Sequence, residues 1–423
     1  MGLGKTIQSI SFLLEKGYKK ALIVTPTTLI YNWEEEIKTF APSLKVGVIH
    51  GSKEKRHKTF ENISDYNVIL TTYGTIKNDI ELYKEIHFDA MIIDEGQNIK
   101  NHKSQSAKNI KSINADFKVA LTGTPIENNL MELWSIFDFI MPGYLSTEEN
   151  FKERFINNKD NMEDLKLLIS PFILRRMKKD VLKELPEKIN KKFIVEMTPN
   201  QRRIYKSYVK EVKEKIKLAK DNNITLFSYI TRLRQLCLDP SLVIDDYEGG
   251  SGKIKVLMDK LRTNKEMGIK TLVFSQFTSL LIKLSKNLKE EGINTFYLDG
   301  GTPAKERIKL VNEFNTTESS TVFLISLKAG GTGLNLTSAS EVIHLDPWWN
   351  PAIEDQATDR AYRIGQKNRV EVIKLISKGS IEEKIILLQE EKRALISNII
   401  NDEYVAENNL SNISSSELLE LFK

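Results

Sequence analysis

Three short stretches carry residues whose types and spacing suit phosphate chemistry. The first is Gly4-Lys5-Thr6, which has the form of the last three positions of the loop G-x-x-x-x-G-K-[ST]. In that loop backbone N–H groups cradle phosphates, the Lys reaches the β- and γ-phosphates, and the hydroxyl binds Mg2+. The run that follows, "TIQSISFLLEKG", places Ile7, Ile10, Leu13 and Leu14 on one helical face and stops at Gly17. A helix starting at the loop aims its N-terminus at phosphate. The second stretch is Asp94-Glu95, directly after the apolar run "AMII". Adjacent buried carboxylates raise each other's pKa. Mg2+ removes that objection by holding Asp94, often through water, and leaves Glu95 to orient or deprotonate an attacking water. Two solvent-exposed acids at a turn are the plainer alternative, which the pairing with Lys5 disfavours. The third stretch is "DQATDRAYRIGQ", where Gln356, Arg360 and Arg363 fall at i, i+4 and i+7, hence on one helical face. Two guanidiniums there suit the charge of a triphosphate in a phosphoryl-transfer transition state. An isolated R-x-x-R is more often a salt-bridged surface helix. Its position one turn past "HLDPWWNP" favours the chemical reading.

These residues need a frame that brings them to strand ends. "KALIVTP", "VILTTY", "AMIIDEG" and "KVALTGTP" are apolar runs of strand length, each closed by a polar or Gly/Pro turn. Strands apolar on both faces and separated by helical patterns read as a parallel sheet covered on both sides. "KTLVFSQF", "INTFYLDG", "TVFLISLKAGG", "SEVIHLDP" and "VEVIKLIS" repeat the arrangement further on. The expected fold class is α/β, with two parallel-sheet units, helical insertions between them and C-terminal helices. We expect a first lobe over 1–142, a helical linking region over 143–250, a second lobe over 251–380 and a helical brace over 381–423. In open α/β sheets ligands bind at the carboxyl ends of strands. A site drawing Lys5 and Asp94 from one lobe and arginines from the other would lie in the cleft between them, with chemistry coupled to lobe closure.

Bulk properties narrow the class without deciding it. No apolar run is long enough for a membrane-spanning helix. A single cysteine, Cys237, excludes an internal disulfide framework and a zinc cluster of Cys pairs, and the five His are scattered. A reducing, cytoplasmic setting is the plain reading. The net charge of +5 permits a polyanionic partner but does not demand one.

Taken in order, the motifs resemble the SNF2 family of superfamily 2 helicase-like ATPases. The matching stretches are "MGLGKTIQ", "LIVTPTTLIYNWEEE", "ILTTYGTI", "IIDEGQNIKN", "ALTGTPIENNLMELWSIFDF", "PFILRRMKKDV" and "LRQLCLDPSL". They continue with "KTLVFSQFT", "LDGGT", "SLKAGGTGLNLTSASEVIHLDPWWNP" and "DQATDRAYRIGQ", and the tail "SSSELLELF" resembles the end of bacterial members. The resemblance implies two RecA-like lobes with ATP and Mg2+ between them. It implies that Gly2, Gly4, Lys5 and Thr6 bind phosphates, with Thr6 and Asp94 on Mg2+ and Glu95 on the attacking water. Arg360 and Arg363 become arginine fingers, and Gln97, Gln356, Gly331 and Gly333 contact the nucleotide or transmit its state. Thr25, Pro26, Thr71, Thr72, Ser275, Gln276, Ser326 and Lys328 fall in motifs that grip the phosphodiester backbone, which position a protein without reading sequence.

The chain departs from the family pattern in three places. The acidic box reads DEGQ where many relatives carry His last, so Gln97 can hydrogen-bond across the cleft but cannot titrate. Tyr362 stands where His is frequent. The front of the phosphate loop and its feeding strand fall ahead of Met1, and Met1 is itself a residue common inside the family's loop. The expectation is a start assigned within the loop or a cut reading frame. A sheet lacking that strand would leave edges unpaired, so this chain is expected to bind ATP weakly while a longer parent is active.

The function implied is an ATP-dependent translocase on double-stranded DNA that remodels or displaces bound proteins, acting as a monomer on the nucleoid. An RNA-polymerase-associated recycling ATPase is an alternative on the same chemistry. A non-hydrolysing DNA-binding or interaction module is the alternative of another class. Trp348 and Trp349 could stack on a base, but a structural or backbone-gripping role fits the family better. "RRMKK" at 175–179 meets phosphates or braces the lobes. The lysines of 206–215 alternate with Glu211 and Glu214 as a solvated helix face, and Cys237 reads as buried packing.

Overall fold

The computed structural model describes residues 3–123, 130–158, 161–174, 176, 185–218, 223–330 and 333–400. Gly2, Gly331, most of "RRMKK" and the last helix expected from "SELLELFK" lie outside them. The chain divides into two compact units, Leu3–Lys183 and a second that begins at Glu184.

The first unit is built on five parallel strands, β1 (Ala21–Thr25), β2 (Val46–Ile49), β3 (Val68–Thr72), β4 (Phe88–Asp94) and β5 (Ala115–Leu121), in the order β2-β3-β1-β4-β5. Successive side chains of a strand point to opposite faces, and the core divides accordingly. Ala21, Ile23, Leu70 and Ile92 pack under Ile10 and Leu13 of the helix Lys5–Lys16 and Trp33 and Ile37 of the helix Ile30–Phe40. Leu22, Val24, Ile69, Met91 and Ile93 face Ile76 and Tyr83 of the helix Tyr73–Lys84 and Phe139 of the helix Leu130–Ile140. Both faces are covered, which is why β1 and β3 are buried along their whole length. The sequence reading did not include β2. It is a four-residue edge strand, half-buried in alternation, and it carries Gly47, where a Cβ would stand 2.7 Å from the Tyr66 ring. At the other edge β5 pairs with β4. Its Phe117 is 42% exposed, and its ring lies 5.3 Å from that of Phe12. Among the described residues the five strands pair without a gap, with β2 and β5 at the two edges.

The second unit holds six parallel strands in the order β6-β11-β10-β7-β9-β8. They are β6 (Lys188–Val195), β7 (Thr271–Ser275), β8 (Thr295–Leu298), β9 (Val322–Ser326), β10 (Glu341–His344) and β11 (Val370–Ser377). The helical reading of the middle of the chain holds for Pro199–Leu218 and Asn223–Leu238. It misses β6, which pairs with β11 over its full eight residues. The reason is composition: an edge strand reading "KINKKFIV" is lysine-rich and mostly exposed, so it lacks the apolar signature of a central strand. A separate small core joins Tyr205, Val212, Leu226, Ile230, Leu233 and Cys237 to Ile381 and Ile385 of the helix Ile381–Ile400. Cys237 is fully buried there, as expected, and burial pushes its thiol pKa up. Among the described residues no helix is long and apolar enough to cross a membrane. The α/β class with two parallel sheets is thus the one observed.

Candidate functional site

The helix Lys5–Lys16 begins without a side-chain cap and without an acidic residue in its first turn. Its N-cap is Gly4 in the left-handed region, φ 73°, a conformation glycine adopts without steric cost. The exposed N–H groups of such an end favour an anion. Beside it the Lys5 Nζ is buried and has no hydrogen-bond partner among the described residues. Thr6, next along, is half-buried. The charge of Lys5 reaches Asp94, the last residue of β4, and partly offsets a rise in that carboxyl's pKa. The rise comes from burial first and from the adjacent Glu95 second.

The surroundings of Asp94 are dense with donors. Its Oδ1 accepts the Glu95 N–H at 2.9 Å, and its Oδ2 accepts the Trp33 indole N–H at 3.0 Å. The Tyr73 hydroxyl donates to its carbonyl at 2.7 Å. Glu95 is a non-glycine residue at φ 52°, a backbone state that clusters at functional sites. Asn98 holds it there by donating both its N–H, at 2.9 Å, and its side-chain amide, at 2.8 Å, to the Glu95 carbonyl. Gln97 Nε2 donates to Glu95 Oε2 at 2.7 Å, while its Oε1 accepts from Thr122 Oγ1 at 2.9 Å. Gln97 therefore bridges the end of β4 to the end of β5 within the first unit.

In the second unit the arginines and the glycine loop form one assembly. Arg360 Nε donates to the Gly330 carbonyl at 3.1 Å, and Arg363 Nη1 donates to the Leu334 carbonyl at 3.3 Å. The two arginines thus bond to carbonyls on either side of Gly333. Gly333 has φ 56°. A Cβ on Gly330 would stand 2.5 Å from Phe274 Cε1, so neither position accepts a larger residue without strain. One expectation fails here. The helix Pro351–Thr358 ends before Arg360, so Gln356 is on the helix but Arg360 and Arg363 are on the turns beyond it. The bonds from Arg360 N to Ala357 O and from Ala361 N to Thr358 O close three-residue turns, while Tyr362 N keeps one helical bond to Thr358 O. Leu336 N takes the Arg360 carbonyl at 3.0 Å, and that tertiary bond keeps the segment off the helical path.

Of the residues expected to grip a phosphodiester backbone, several hydroxyls are buried and already bonded. Thr25 Oγ1 donates to the Pro26 carbonyl, Thr71 Oγ1 lies 2.6 Å from the Tyr83 hydroxyl, and Thr72 Oγ1 caps the helix Tyr73–Lys84. Ser275 Oγ donates to Asp346 Oδ1 at 2.5 Å, and Ser326 is buried. These side chains shape the strand ends. Pro26 is half-buried, Lys328 is exposed, and Gln276 keeps a donor, Nε2, without a partner. The sequence reading also missed a buried network behind Ser275. Arg234 Nη2 donates to Asp346 Oδ2 at 3.2 Å and to the Pro347 carbonyl at 2.6 Å. Its guanidinium lies 5.4 Å from the centre of the Trp348 ring and 5.5 Å from that of Trp349, which gives both tryptophans a structural partner.

A family profile described as SNF2-related domain matches residues 1–242. The chain belongs to the SNF2-related family. A second profile, helicase conserved C-terminal domain, matches residues 252–365, and the resemblance drawn from the motifs holds. Over its whole length this SNF2-related chain is 38% identical to a Mycoplasma pneumoniae protein named "Uncharacterized ATP-dependent helicase", of which it covers 41%. It is 33% identical to the TATA-binding protein-associated factor MOT1 of Saccharomyces cerevisiae, of which it covers 27%. The chain spans less than half the length of these relatives. Among solved structures, the Sulfolobus solfataricus SWI2/SNF2 ATPase core in complex with dsDNA is 39% identical. The match covers 95% of this chain and 87% of that one, with a TM-score of 0.44.

Proposed function

We propose that this chain is the motor part of an ATP-driven translocase that moves along double-stranded DNA and displaces or remodels proteins bound to it. The observation that carries the reading is the buried, unpartnered ammonium of Lys5 at the start of an uncapped helix. A buried cation without an acceptor is costly, and the phosphates of ATP supply acceptors. Gly2, Gly4, Lys5 and Thr6 hold those phosphates. Thr6 and Asp94 offer the oxygen donors that Mg2+ prefers. The ion, when bound, neutralises phosphate charge. Glu95, kept in place by Gln97 and Asn98, orients the attacking water and takes its proton. Arg360 and Arg363 stabilise the charge of the transferred phosphoryl group. Because they bond to the carbonyls of Gly330 and Leu334, a change at the arginines is felt at Gly333, and Gly331 and Gly333 contact the nucleotide or transmit its state.

Pro26, Gln276 and Lys328 contact the phosphodiester backbone of the duplex. Thr25, Thr71, Thr72, Ser275 and Ser326 fix the strand ends that present them. A relative named ATP-dependent helicase supports the use of ATP, and one named for association with the TATA-binding protein supports a DNA-bound protein as the object moved. Such a motor works as a monomer in the cytoplasm, on the nucleoid.

The test is ATP turnover by the full chain with and without a DNA duplex, beside Glu95→Gln and Lys5→Ala. The expected result is stimulation by duplex, a fall of roughly 10²- to 10⁴-fold in Glu95→Gln, the scale of a lost general base, and weakened ATP binding in Lys5→Ala. Duplex binding without turnover would put the non-hydrolysing DNA-binding module in its place.

A further inference from the structure

The helices that follow the two strand ends behind the first unit's duplex contact each send one hydrogen-bond donor to the residue assigned to the cation. The helix Ile30–Phe40 follows Thr25 and Pro26, and its Trp33 donates the indole N–H to Asp94 Oδ2. The helix Tyr73–Lys84 follows Thr71 and Thr72, and its first residue, Tyr73, donates its hydroxyl to the Asp94 carbonyl. The two contacts do different things. Trp33 occupies an oxygen of the carboxylate itself and so fixes its rotation, while Tyr73 fixes the backbone from which that carboxylate projects. Packing requires neither polar group. Trp33 is 2% exposed between Ile30 and Ile37, and a phenylalanine at either position would keep an aromatic ring there. The Tyr73 phenol stays a donor, since burial and the carboxylates of Asp94 and Glu95 push its pKa well up.

We propose that Trp33 and Tyr73 are positioning residues that couple the duplex-gripping segments of the first unit to the cation-holding carboxylate of Asp94. A duplex seated on Pro26, at the strand ends that Thr25, Thr71 and Thr72 fix, shifts the two helices that follow those ends. Through the indole and the phenol, that shift turns the Asp94 carboxylate and changes its affinity for a cation–nucleotide pair. The coupling is reciprocal, so the bound pair changes duplex affinity by the same factor. The inference rests on the function proposed above and adds to it the two side chains that carry the signal.

The experiment measures binding and not turnover. Mn2+·ADP binding to the full chain is followed by the EPR signal of Mn2+, with and without a saturating DNA duplex, for the parent chain, Trp33→Phe and Tyr73→Phe. The duplex is expected to change the parent's affinity roughly 5-fold or more, within the usual range of coupling between sites. In each variant the change shrinks to less than about 2-fold, while Mn2+·ADP still binds. Thermal melting shows whether each variant is folded. Tyr73→Phe removes a single oxygen and serves if Trp33→Phe does not fold. A parent-like duplex effect in folded variants overturns the proposal and leaves the two residues as packing. A parent that binds Mn2+·ADP with no duplex effect overturns the coupling but leaves the nucleotide site standing. A folded parent that does not bind Mn2+·ADP at all overturns both.

Discussion

Glu95 and Asp299 show how single residues set this site. Glu95 holds a left-handed conformation that costs a non-glycine residue on the order of 1–3 kcal/mol, offset by the two bonds from Asn98 to its carbonyl. Asp299 does the opposite work at "LDGGT", stabilising a turn. Its Oδ1 accepts the N–H groups of Gly301, at 2.8 Å, and Thr302, at 3.2 Å, and its Oδ2 accepts the Tyr297 hydroxyl at 2.8 Å. Tyr297 first, then the two backbone donors, hold the Asp299 pKa below the usual carboxylate range. Burial first, and the same contact second, push the Tyr297 phenol up to about 12. The sign for Asp299 follows. Its folded pKa is depressed, so its contribution is full above the unfolded value of about 3.9 and is lost as pH falls through the folded one. Asp299→Ala should therefore lower stability by about 1–3 kcal/mol at neutral pH. In urea melts run from neutral to strongly acidic pH, the gap to the parent should close only at the acid end. A gap independent of pH would show that the carboxylate's charge is not what the turn uses.

At the scale of elements, the short helix Leu327–Gly330 after β9 lies where the glycine loop, the arginines and the sheet meet. Gly330 is packed so closely on Phe274 that an added methyl must displace a ring buried in the sheet's core. Gly330→Ala is expected to cost about 1–3 kcal/mol, the range for overpacking. It should also reduce turnover, because the carbonyl it moves is the one Arg360 holds. Gly300→Ala is the control: nothing lies within 4 Å of its Cβ, so its stability should stay within about 0.5 kcal/mol of the parent. Equal melting temperatures for the two variants would contradict the packing account. The helix Pro351–Thr358 carries the other lesson of this scale. The i, i+4, i+7 spacing placed Gln356, Arg360 and Arg363 on one face, but the helix ends at Thr358 and the Arg360 carbonyl is taken by Leu336 N, remote in sequence.

At the scale of the molecule, the second unit begins well before the stretch that its C-terminal helicase profile matches, residues 252–365. The earlier part supplies β6 and also Arg234, whose pair with Asp346 has side chains 2% and 0% exposed. Removing one partner of a buried pair costs about 3–5 kcal/mol, since the other charge is left uncompensated. A fragment of residues 184–423 should therefore melt cooperatively, and one of residues 252–423 should not. The circular dichroism melts of the two decide it, and an equally cooperative shorter fragment would show that Arg234 and β6 are dispensable.

The sequence alone determined what is local. Seven of the strands were readable because a parallel strand covered on both faces is apolar along its length, β5 and β8 because their runs are apolar although they lie at sheet edges, and the Gly4-Lys5-Thr6 run, the adjacent acids and the family motifs because each lies within a few consecutive residues. β2 and β6 were not, because edge strands are short or lysine-rich and lack that signature. Trp33 shows the remaining boundary. Three- and four-residue spacing to Ile30 and Ile37 marks it as core, and it is core. That its N–H ends on Asp94, 61 positions away, follows from helix Ile30–Phe40 lying over the sheet in which β1 and β4 are neighbours. The same holds for Arg234 and Asp346, 112 apart, and for the arginines on the carbonyls of Gly330 and Leu334. Periodicity fixes which face of an element is buried. Which polar atom on that face meets which partner depends on how elements distant in sequence pack, and only the tertiary structure decides it.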